Sequence, residues 1–380
     1  MPEHVIPSID QCVGCENCKN ICKKKAISFS QNDEGFFYPI VDENKCVSCG
    51  ACNKVCPIYQ NPQKNETTQV GYAAISRIKA LYRHGASAGA FGTIAHSFLE
   101  NFKDSLVVGV ACVDGVVKHV VIDKIEDVAL LQNSKYVQSK MGDVVIKVSK
   151  ALKNGKYVLF SGTPCQVNAV KLFVGKECSN LFTIDLICHG VPSPALLKFD
   201  LQKQGFCSIQ DIKFRLKTRK LHSRSHVLLS IKGDGKTRHI FNNRDLYYQL
   251  FIKEDTYRET CYKCKFANLS RVGDITIGDC DSHKYIDFHQ EDALNAVLIN
   301  SEKGKFLWMI SEKDLDSCQL NLEKEAECNT QLRKPCERKK TRDSIYKDVF
   351  NSYEELLRRM CKPRTFKDRL ILLLKYGCWR

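Results

Sequence analysis

Two matching cysteine runs near the start of the chain constrain its fold more than any other feature. Each run has the spacing C-x-x-C-x-x-C-x-x-x-C, and the second is followed by Pro57. Three cysteines spaced two apart can wrap one face of an iron-sulfur cubane, while the fourth reaches across to a neighbouring cluster. The spacing therefore predicts two 4Fe-4S clusters with crossed ligands. One cluster takes Cys12, Cys15, Cys18 and Cys56, and the other takes Cys46, Cys49, Cys52 and Cys22.

The alternative for these runs is a pair of zinc knuckles, because C-x-x-C pairs also bind zinc. Eight cysteines in two matching runs favour clusters, and the segment 1–62 resembles a bacterial-type, two-cluster ferredoxin domain. Gly14 and Gly50 are available to relieve the tight turns, whereas Lys23 stands where the first run would usually have Pro. The polar stretch 61–68 predicts a linker. We expect the domains on either side of it to bury separate cores.

The composition excludes several other classes of protein. The chain has 21 cysteines in 380 residues, but its longest apolar run is far shorter than the roughly 20 residues of a membrane helix. The first ten residues lack the pattern of a secretory signal, so we expect a cytoplasmic protein and not a disulfide-rich secreted one. Three oxidised clusters would lower the formal net charge of +15 to about +9. The basic excess therefore does not require nucleic acid as a partner.

From residue 70 onward, apolar runs alternate with helical segments, which predicts a mixed α/β body over 70–310. The predicted buried strands are 70–75, 106–113, 157–161, 181–187, 274–278 and 293–300. The predicted helices of the body are 86–101, 144–152, 166–174 and 195–204. Residues 311–380 predict a basic, largely helical C-terminal region with helices over 352–360 and 366–375. This tail could touch an anionic membrane surface or pack on its own domain, and packing is the more common case.

Four motifs in the body carry a specific resemblance. They are KYVQSKMGD at 135–143, YVLFSGTPCQ at 157–166, DLICHGVPSP at 185–194 and CYKCKFANLSRVGDITIGD at 261–279. In this order they resemble the coenzyme F420 hydrogenase/dehydrogenase beta-subunit family. The resemblance implies an FAD-binding iron-sulfur reductase, with coenzyme F420 or an organic molecule as its two-electron substrate. It also implies a ferredoxin or a hydrogenase or dehydrogenase subunit as the protein partner.

The flavin site implied by this resemblance centres on the turn 161–166, between a strand and a helix. Backbone N–H groups at such a helix start suit a flavin pyrophosphate, although an ordinary strand-to-helix turn would look the same. The implied flavin-binding residues are Ser87, Gly89, Lys135, Gln138, Ser139, Gly162, Thr163 and Pro164. His189 is a candidate proton donor, and a packed histidine is the alternative. The basic stretch 213–239 predicts either a solvated face or a groove for an anionic substrate.

Four further cysteines fall inside the family motifs and predict a third 4Fe-4S cluster. They are Cys165, Cys188, Cys261 and Cys264. Cys165 and Cys188 are expected at the ends of neighbouring strands, and Cys261-x-x-Cys264 has the spacing of a loop around one cubane edge. A zinc site or four unconnected thiols are the alternatives, and Cys280 is the expected substitute if one ligand is wrong.

Together these features predict an enzyme that moves electrons between a one-electron carrier and a two-electron substrate, in either direction. Flavin suits the junction because it handles one or two electrons. The rival hypothesis is a non-catalytic adaptor that docks the ferredoxin domain onto a separate enzyme. Flavin content would distinguish the two.

Overall fold

The computed structural model describes residues 6–63, 65, 70–175, 178–217, 228–289 and 293–374. The helices are α1 Asn17–Ile21, α2 Ala51–Lys54, α3 Lys79–His84, α4 Ala90–Asn101, α5 Val128–Leu131, α6 Val144–Lys153, α7 Pro164–Val174, α8 Pro194–Lys203, α9 Leu246–Ile252, α10 Glu302–Ser311, α11 Leu322–Cys328, α12 Thr341–Val349, α13 Tyr353–Met360 and α14 Phe366–Leu374. The strands are β1 Ile27–Gln31, β2 Phe37–Val41, β3 Val70–Ser76, β4 Ser105–Val113, β5 Val116–Ile122, β6 Tyr157–Gly162, β7 Leu181–Leu186, β8 Ile209–Lys213, β9 Leu228–Gly233, β10 Lys236–Phe241, β11 Ile275–Asp279, β12 Asn295–Ile299 and β13 Leu315–Leu320.

An eight-stranded mixed sheet forms the centre of the body. Its strand order is β13-β3-β12-β11-β7-β6-β4-β5. The four consecutive strands β11, β7, β6 and β4 are parallel to one another. The six predicted strands are confirmed as β3, β4, β6, β7, β11 and β12, each within two residues of its predicted bounds. The carboxyl ends of the four parallel strands therefore meet at one edge of the sheet, which we call the carboxyl edge.

Helices cover both faces of this sheet, as the alternating side chains of its strands require. In β6, Leu159 packs into a cluster with α4 and α10, whereas Val158 and Phe160 pack into a cluster with α6 and α7. All three side chains are fully buried. The body is thus a three-layer α/β structure, which confirms its predicted mixed α/β class.

The ferredoxin domain lies against the face that carries α6 and α7. Asn17 on α1 is fully buried and donates to the Ala169 carbonyl at 2.7 Å, while Glu16 accepts from the Gly142 N–H at 2.9 Å. Phe36 and Tyr38 from the β1–β2 hairpin belong to the same apolar cluster as residues of α8 and α9. The expectation of separate cores is therefore wrong, because the hairpin fills part of the core of the body.

A second, smaller sheet and the C-terminal helices complete the molecule. The antiparallel strands β8, β9 and β10 form a three-stranded sheet, and α12 and α13 pack their apolar side chains beside α8 and α9. β13 lies beyond the predicted boundary at 310 and pairs with β3, so the main sheet extends into the C-terminal region. The two predicted C-terminal helices are confirmed as α13 and α14.

Some sequence predictions fall on residues that the structure does not describe. Residues 218–227 of the basic stretch, residues 64 and 66–68 of the predicted linker, and residues 375–380 with Cys378 lie outside the described ranges. Within the described ranges, no helix is both long enough and apolar enough to span a membrane.

Candidate functional site

The first cysteine set of the ferredoxin domain lines a small apolar cavity. Cys12, Cys15, Cys18 and Cys56 surround this cavity of about 20 Å³, together with side chains such as Phe29 and Ile58. Burial, together with the neighbouring Cys12 and Cys56, raises the pKa of the Cys18 thiol to about 12. This grouping is the one that the crossed ligand pattern predicts. Four thiols around a dry cavity suit a cubane cluster, whose irons replace the thiol protons.

The second set lies closer to the surface. Cys46 and Cys49 both interact electrostatically with Cys52, whose thiol pKa is raised first by burial and then by these two neighbours. Cys49 is exposed, whereas Cys52 is buried. Gly50 has a φ of +69°, so it does provide the left-handed turn that the sequence predicts before α2. Cys22, the predicted fourth ligand, follows α1, and α1 packs against α2.

The third set assembles at the carboxyl edge. Residues 162 and 185 are partners across the parallel strands β6 and β7, so Cys165 and Cys188 follow neighbouring strand ends, which confirms the prediction of their placement. Cys261 and Cys264 come from the loop before β11, and Cys261 interacts electrostatically with the other three thiols. Burial, together with the nearby Cys264, raises the pKa of the Cys165 thiol to about 11. The structure therefore brings together all four predicted ligands.

Two buried arginines hold this third set in place. Arg271 joins the loop after Cys264 to the end of β7, because it donates to Asp185 Oδ1 and to the Phe266 carbonyl, both at 2.9 Å. Arg258 donates to the Cys12 carbonyl at 2.6 Å and to the Phe37 carbonyl at 2.9 Å. Arg258 precedes Cys261 by three residues, so its hydrogen bonds attach the ferredoxin domain to the segment that leads into the cysteine loop. The four-motif resemblance contains Arg271, but no pattern in the sequence marks Arg258.

Two cysteines outside the third set, Cys280 and Cys336, make contacts of different kinds at the carboxyl edge. Cys280 donates to the buried carboxylate of Glu325 at 3.7 Å, and that carboxylate also accepts from the Ser282 hydroxyl at 2.7 Å. Cys336 donates to the His189 carbonyl at 3.3 Å and interacts electrostatically with Cys264. Cys336 is therefore the additional thiol beside the third set, although sequence reasoning treated it as one of the scattered cysteines. Across the described residues, no three His, Cys, Asp or Glu side chains are grouped tightly enough to hold a single metal ion.

The residues implied for flavin binding also lie mainly at the carboxyl edge, but most of their polar groups already have partners. The Ser87 hydroxyl donates to the Leu294 carbonyl at 3.0 Å. The N–H groups on either side of Gly89 both donate to Asn295 Oδ1 at 3.1 Å. This turn therefore caps α4 internally, and its N–H groups are not free donors for a pyrophosphate.

The turn at 162–164 is likewise organised from within. The Thr163 N–H donates to Gln166 Oε1 at 3.0 Å in a capping box, with Pro164 as the first residue of α7. Ser139 accepts from Gln166 Nε2 at 3.0 Å. A Cβ at Gly162 would lie 3.1 Å from Phe160 and 3.2 Å from His119. A bulky replacement of Gly162 would thus disturb the packing of the core itself, so a loss of flavin in such a variant would not show that this turn contacts the flavin.

Lys135 and Gln138 lie in different environments. Burial lowers the pKa of the Lys135 ammonium to about 8, and Asp211 and Cys112 partly oppose this shift. Its Nζ donates to the Gln132 carbonyl. Gln138 instead joins the two domains, since it donates to the Val13 carbonyl at 3.1 Å and accepts from Arg258 at 2.9 Å.

Several polar groups at the carboxyl edge could still serve a ligand. The His119 ring stacks on Phe160, and neither of its buried nitrogens has a hydrogen-bond partner of good geometry among the described residues, although the backbone of Ser161 and Lys140 lies close to the ring. Burial lowers the pKa of this imidazole to about 4, so it is neutral at pH 7. Arg215 is buried beside Asp279 at 2.7 Å, and its Nε has no hydrogen-bond partner among the described residues. These groups give the edge unused donors and acceptors.

His189 lies at the same edge, directly after Cys188. Its side chain is exposed, yet the surrounding protein desolvates the ring enough to lower its pKa, while Asp279 acts in the opposite direction. A neutral imidazole next to a redox centre can accept or deliver a proton near neutral pH. The structure thus leaves His189 available for the role predicted from the sequence.

Comparison with known families matches both parts of the chain. The family model that describes the C terminus of the coenzyme F420 hydrogenase/dehydrogenase beta subunit matches residues 155–321. The model of the 4Fe-4S dicluster domain matches residues 11–59, which agrees with the cluster interpretation of the two cysteine runs.

Individual relatives match a short part of the chain. An uncharacterized ferredoxin from Methanocaldococcus jannaschii is 43% identical over 49 residues, which is 12% of this chain and 29% of that protein. An uncharacterized polyferredoxin-like protein from the same organism is 33% identical over 67 residues, which is 16% of this chain and 39% of that protein. The chain thus spans well under half the length of these relatives.

One solved structure is distantly similar to a larger part of the chain. It is the F420-reducing NiFe hydrogenase complex from Methanosarcina barkeri, with 16% identity and a TM-score of 0.48. The similarity covers 72% of this chain and 93% of that one.

Proposed function

We propose that this chain is an iron-sulfur flavoprotein oxidoreductase of the coenzyme F420 hydrogenase/dehydrogenase beta-subunit family, whose C-terminal model matches residues 155–321. Its ferredoxin domain would exchange single electrons with a carrier such as a ferredoxin or a hydrogenase or dehydrogenase subunit. Its body would exchange electron pairs with coenzyme F420 or an organic molecule. The chemistry allows either direction, because each redox couple is reversible.

The observation that carries this proposal is the grouping of Cys165, Cys188, Cys261 and Cys264 beside the ferredoxin domain. These residues come from three separate segments, and their thiols share one desolvated place at the carboxyl edge. With its thiols deprotonated, this set would supply the four thiolates that a 4Fe-4S cluster uses. Its position supports an electron path from the ferredoxin domain into the body.

The carboxyl edge is also where we propose that FAD binds. In open α/β sheets, ligands bind outside the carboxyl ends of the strands. Arg215 pairs with Asp279 at the end of β11, and Lys217 donates to the Ser87 carbonyl, so two cations lie at this edge, where they suit a pyrophosphate. A bound flavin supplies the exchange between single electrons and electron pairs. Arg215 and the unpaired His119 ring are better candidates for contacts than the internally paired N–H groups near Gly89 and Thr163.

Anaerobic reconstitution with a count of iron and flavin tests this proposal. We expect about twelve irons per chain, which corresponds to three clusters, together with one non-covalently bound FAD. Changing both Cys261 and Cys264 to Ser should remove about four irons and leave the eight of the ferredoxin domain. A screen of reduced F420, ferredoxin, NADH and NADPH as electron donors would then identify the substrate.

The matched control changes Cys207 and Cys328 to Ser, since these two cysteines are not part of any predicted cluster and neither is buried. This variant should keep about twelve irons. A wild-type protein that stops at eight irons, or a Cys261/Cys264 double variant that keeps twelve, would contradict the third cluster.

The second candidate function is the electron-transfer adaptor. The observation that favours it is the internal pairing of the N–H groups in both predicted flavin turns. An adaptor would bind about twelve irons and no flavin, and it would reduce none of the small-molecule substrates. Flavin extraction from the reconstituted protein therefore separates the two functions directly.

A further inference from the structure

The residue after Cys264 lies at the junction between the ferredoxin domain and the body. Lys265 is half-buried, and its Nζ donates to the carbonyls of Ile58 and Gln60, each at 3.2 Å. Both carbonyls belong to the turn that follows Cys56. The Lys265 side chain therefore fastens the end of the second ferredoxin cysteine run to the cysteine loop of the body.

The same ammonium group also interacts electrostatically with two cysteines from different sets. One is Cys56, which lines the ferredoxin cavity with Cys12, and the other is Cys264 of the third set. The positive charge of Lys265 thus acts on both cysteine sites at once. Its two hydrogen bonds hold the ammonium group in that place.

We propose that Lys265 is a positioning residue for electron transfer between the ferredoxin domain and the body. It fixes the separation between the Cys12, Cys15, Cys18 and Cys56 site and the Cys165, Cys188, Cys261 and Cys264 site, and it places one positive charge between them. The inference rests on the proposed function, because it requires a cluster in both sites. In each transfer one site is oxidised as the other is reduced by the same electron, and no further reactant is needed.

The physical reason is charge repulsion between two anionic sites. Four thiolates around an oxidised cubane core leave each site with a net charge of roughly −2, and reduction adds another negative charge. A cation between two such sites lowers the cost of placing the electron on either one. Net charge near a cluster is one of the factors that set its reduction potential. The ammonium of Lys265 therefore raises both potentials.

The test is a redox titration of the reconstituted full-length protein, followed by electron paramagnetic resonance. Lys265→Met keeps the length of the side chain but removes its charge and its hydrogen bonds. We expect the potentials of the inner ferredoxin-domain cluster and of the third cluster both to shift to more negative values. We also expect weaker magnetic coupling between these two clusters. Lys265→Arg, which keeps the charge, should retain potentials close to those of the wild type.

Lys263→Met is the matched control. Lys263 lies two residues earlier on the same segment, is exposed, and also reaches the ferredoxin domain through Asp10 at 3.1 Å. It carries the same charge and joins the same two domains. Its removal should leave both potentials and the magnetic coupling unchanged.

The possible outcomes separate this inference from the proposed function. A protein with about twelve irons in which Lys265→Met shifts neither potential, or only one of the two, overturns the role of Lys265 alone. The same holds if Lys265→Arg shifts them as far as Lys265→Met does. A wild-type protein that stops at about eight irons overturns both the third cluster and this inference.

Discussion

The guanidinium of Arg271 joins the separate segments of the third cysteine site. Its side chain is 2% exposed, and its Nη2 donates both to Asp185 and to the Leu186 carbonyl at 2.9 Å. Its Nη1 donates to the Phe266 carbonyl, two residues beyond Cys264. These bonds keep the end of β7, which leads to Cys188, next to the loop of Cys264. A planar group with several donors can make this junction, whereas a lysine cannot.

We therefore expect Arg271→Met to destabilise the body and to empty the third site. The change leaves Asp185 buried without its cation, and breaking a buried pair in this way costs about 3–5 kcal/mol. Denaturant unfolding measures this loss, and an iron count should fall from about twelve to about eight. Arg77→Met is the control, because Arg77 forms an exposed pair with Asp316 at 3.7 Å, worth less than about 1 kcal/mol. A variant with full iron content and unchanged unfolding would refute this role.

Residues in regular patterns could be predicted from the sequence, whereas residues that act through distant contacts could not. The eight N-terminal cysteines follow a spacing that one cluster geometry explains, so they were identified directly. Cys336 lies 72 residues beyond Cys264 in no motif, and only the packing of the chain brings it beside the third set. No pattern in the sequence distinguishes Lys265 from the other basic residues of the chain. Its position between two cysteine sites depends on how the ferredoxin domain docks.

The same distinction holds for whole elements. The central strands β6, β7 and β12 are buried on both faces, so they appear as mainly apolar runs that predict strands on their own. The strands β5, β10 and β13 are not predicted, because consecutive polar residues interrupt their apolar pattern and each strand is only partly buried. The short helix α9 is rich in aromatic residues, which do not favour helix over strand. Its helical form is set by tertiary packing.

A buried pair of carboxyl groups connects three of these helices. Asp200 on α8 and Asp245 at the start of α9 both accept from Gln204, at 2.6 and 2.8 Å. Asp200 also accepts from the Tyr353 hydroxyl of α13 at 2.8 Å. Arg364 faces both carboxyls, and it lowers the pKa of each. Burial has the larger effect, and with the negative charge of Asp245 it raises the pKa of Asp200 to about 8.

This pair predicts a loss of stability as the pH rises. Between about pH 4 and pH 8 the folded protein keeps a proton on Asp200 that the unfolded chain releases, so unfolding becomes easier across this window. Thermal unfolding at several pH values should show the effect. Asp200→Asn, which cannot ionise, should flatten the dependence, whereas the exposed control Asp33→Asn should not. An equally steep dependence in Asp200→Asn would assign it to other groups.

At the scale of the whole molecule, the C-terminal region joins the ferredoxin domain to the body. Arg342 on α12 is fully buried and contacts Glu34 of the ferredoxin hairpin at 2.6 Å and Glu259 of the cysteine loop at 2.8 Å. Its Nε donates to the Tyr257 carbonyl at 3.1 Å. One side chain thus connects three regions that the sequence suggested were separate. Together with the shared apolar cluster, this contact makes the chain a single cooperative unit.

We accordingly expect the chain to unfold in one transition, with the loss of cluster absorbance and of helical circular dichroism at the same denaturant concentration. Arg342→Met should lower the free energy of unfolding by roughly 3 kcal/mol, the low end for a broken buried pair, since both glutamates keep some contact with water. Arg338→Met is the matched control, because Arg338 also pairs with Glu259, at 2.9 Å, but is 35% exposed. It should cost less than about 1 kcal/mol. Two separate transitions in the wild type, with the ferredoxin domain unfolding alone, would show that the shared core does not couple the domains.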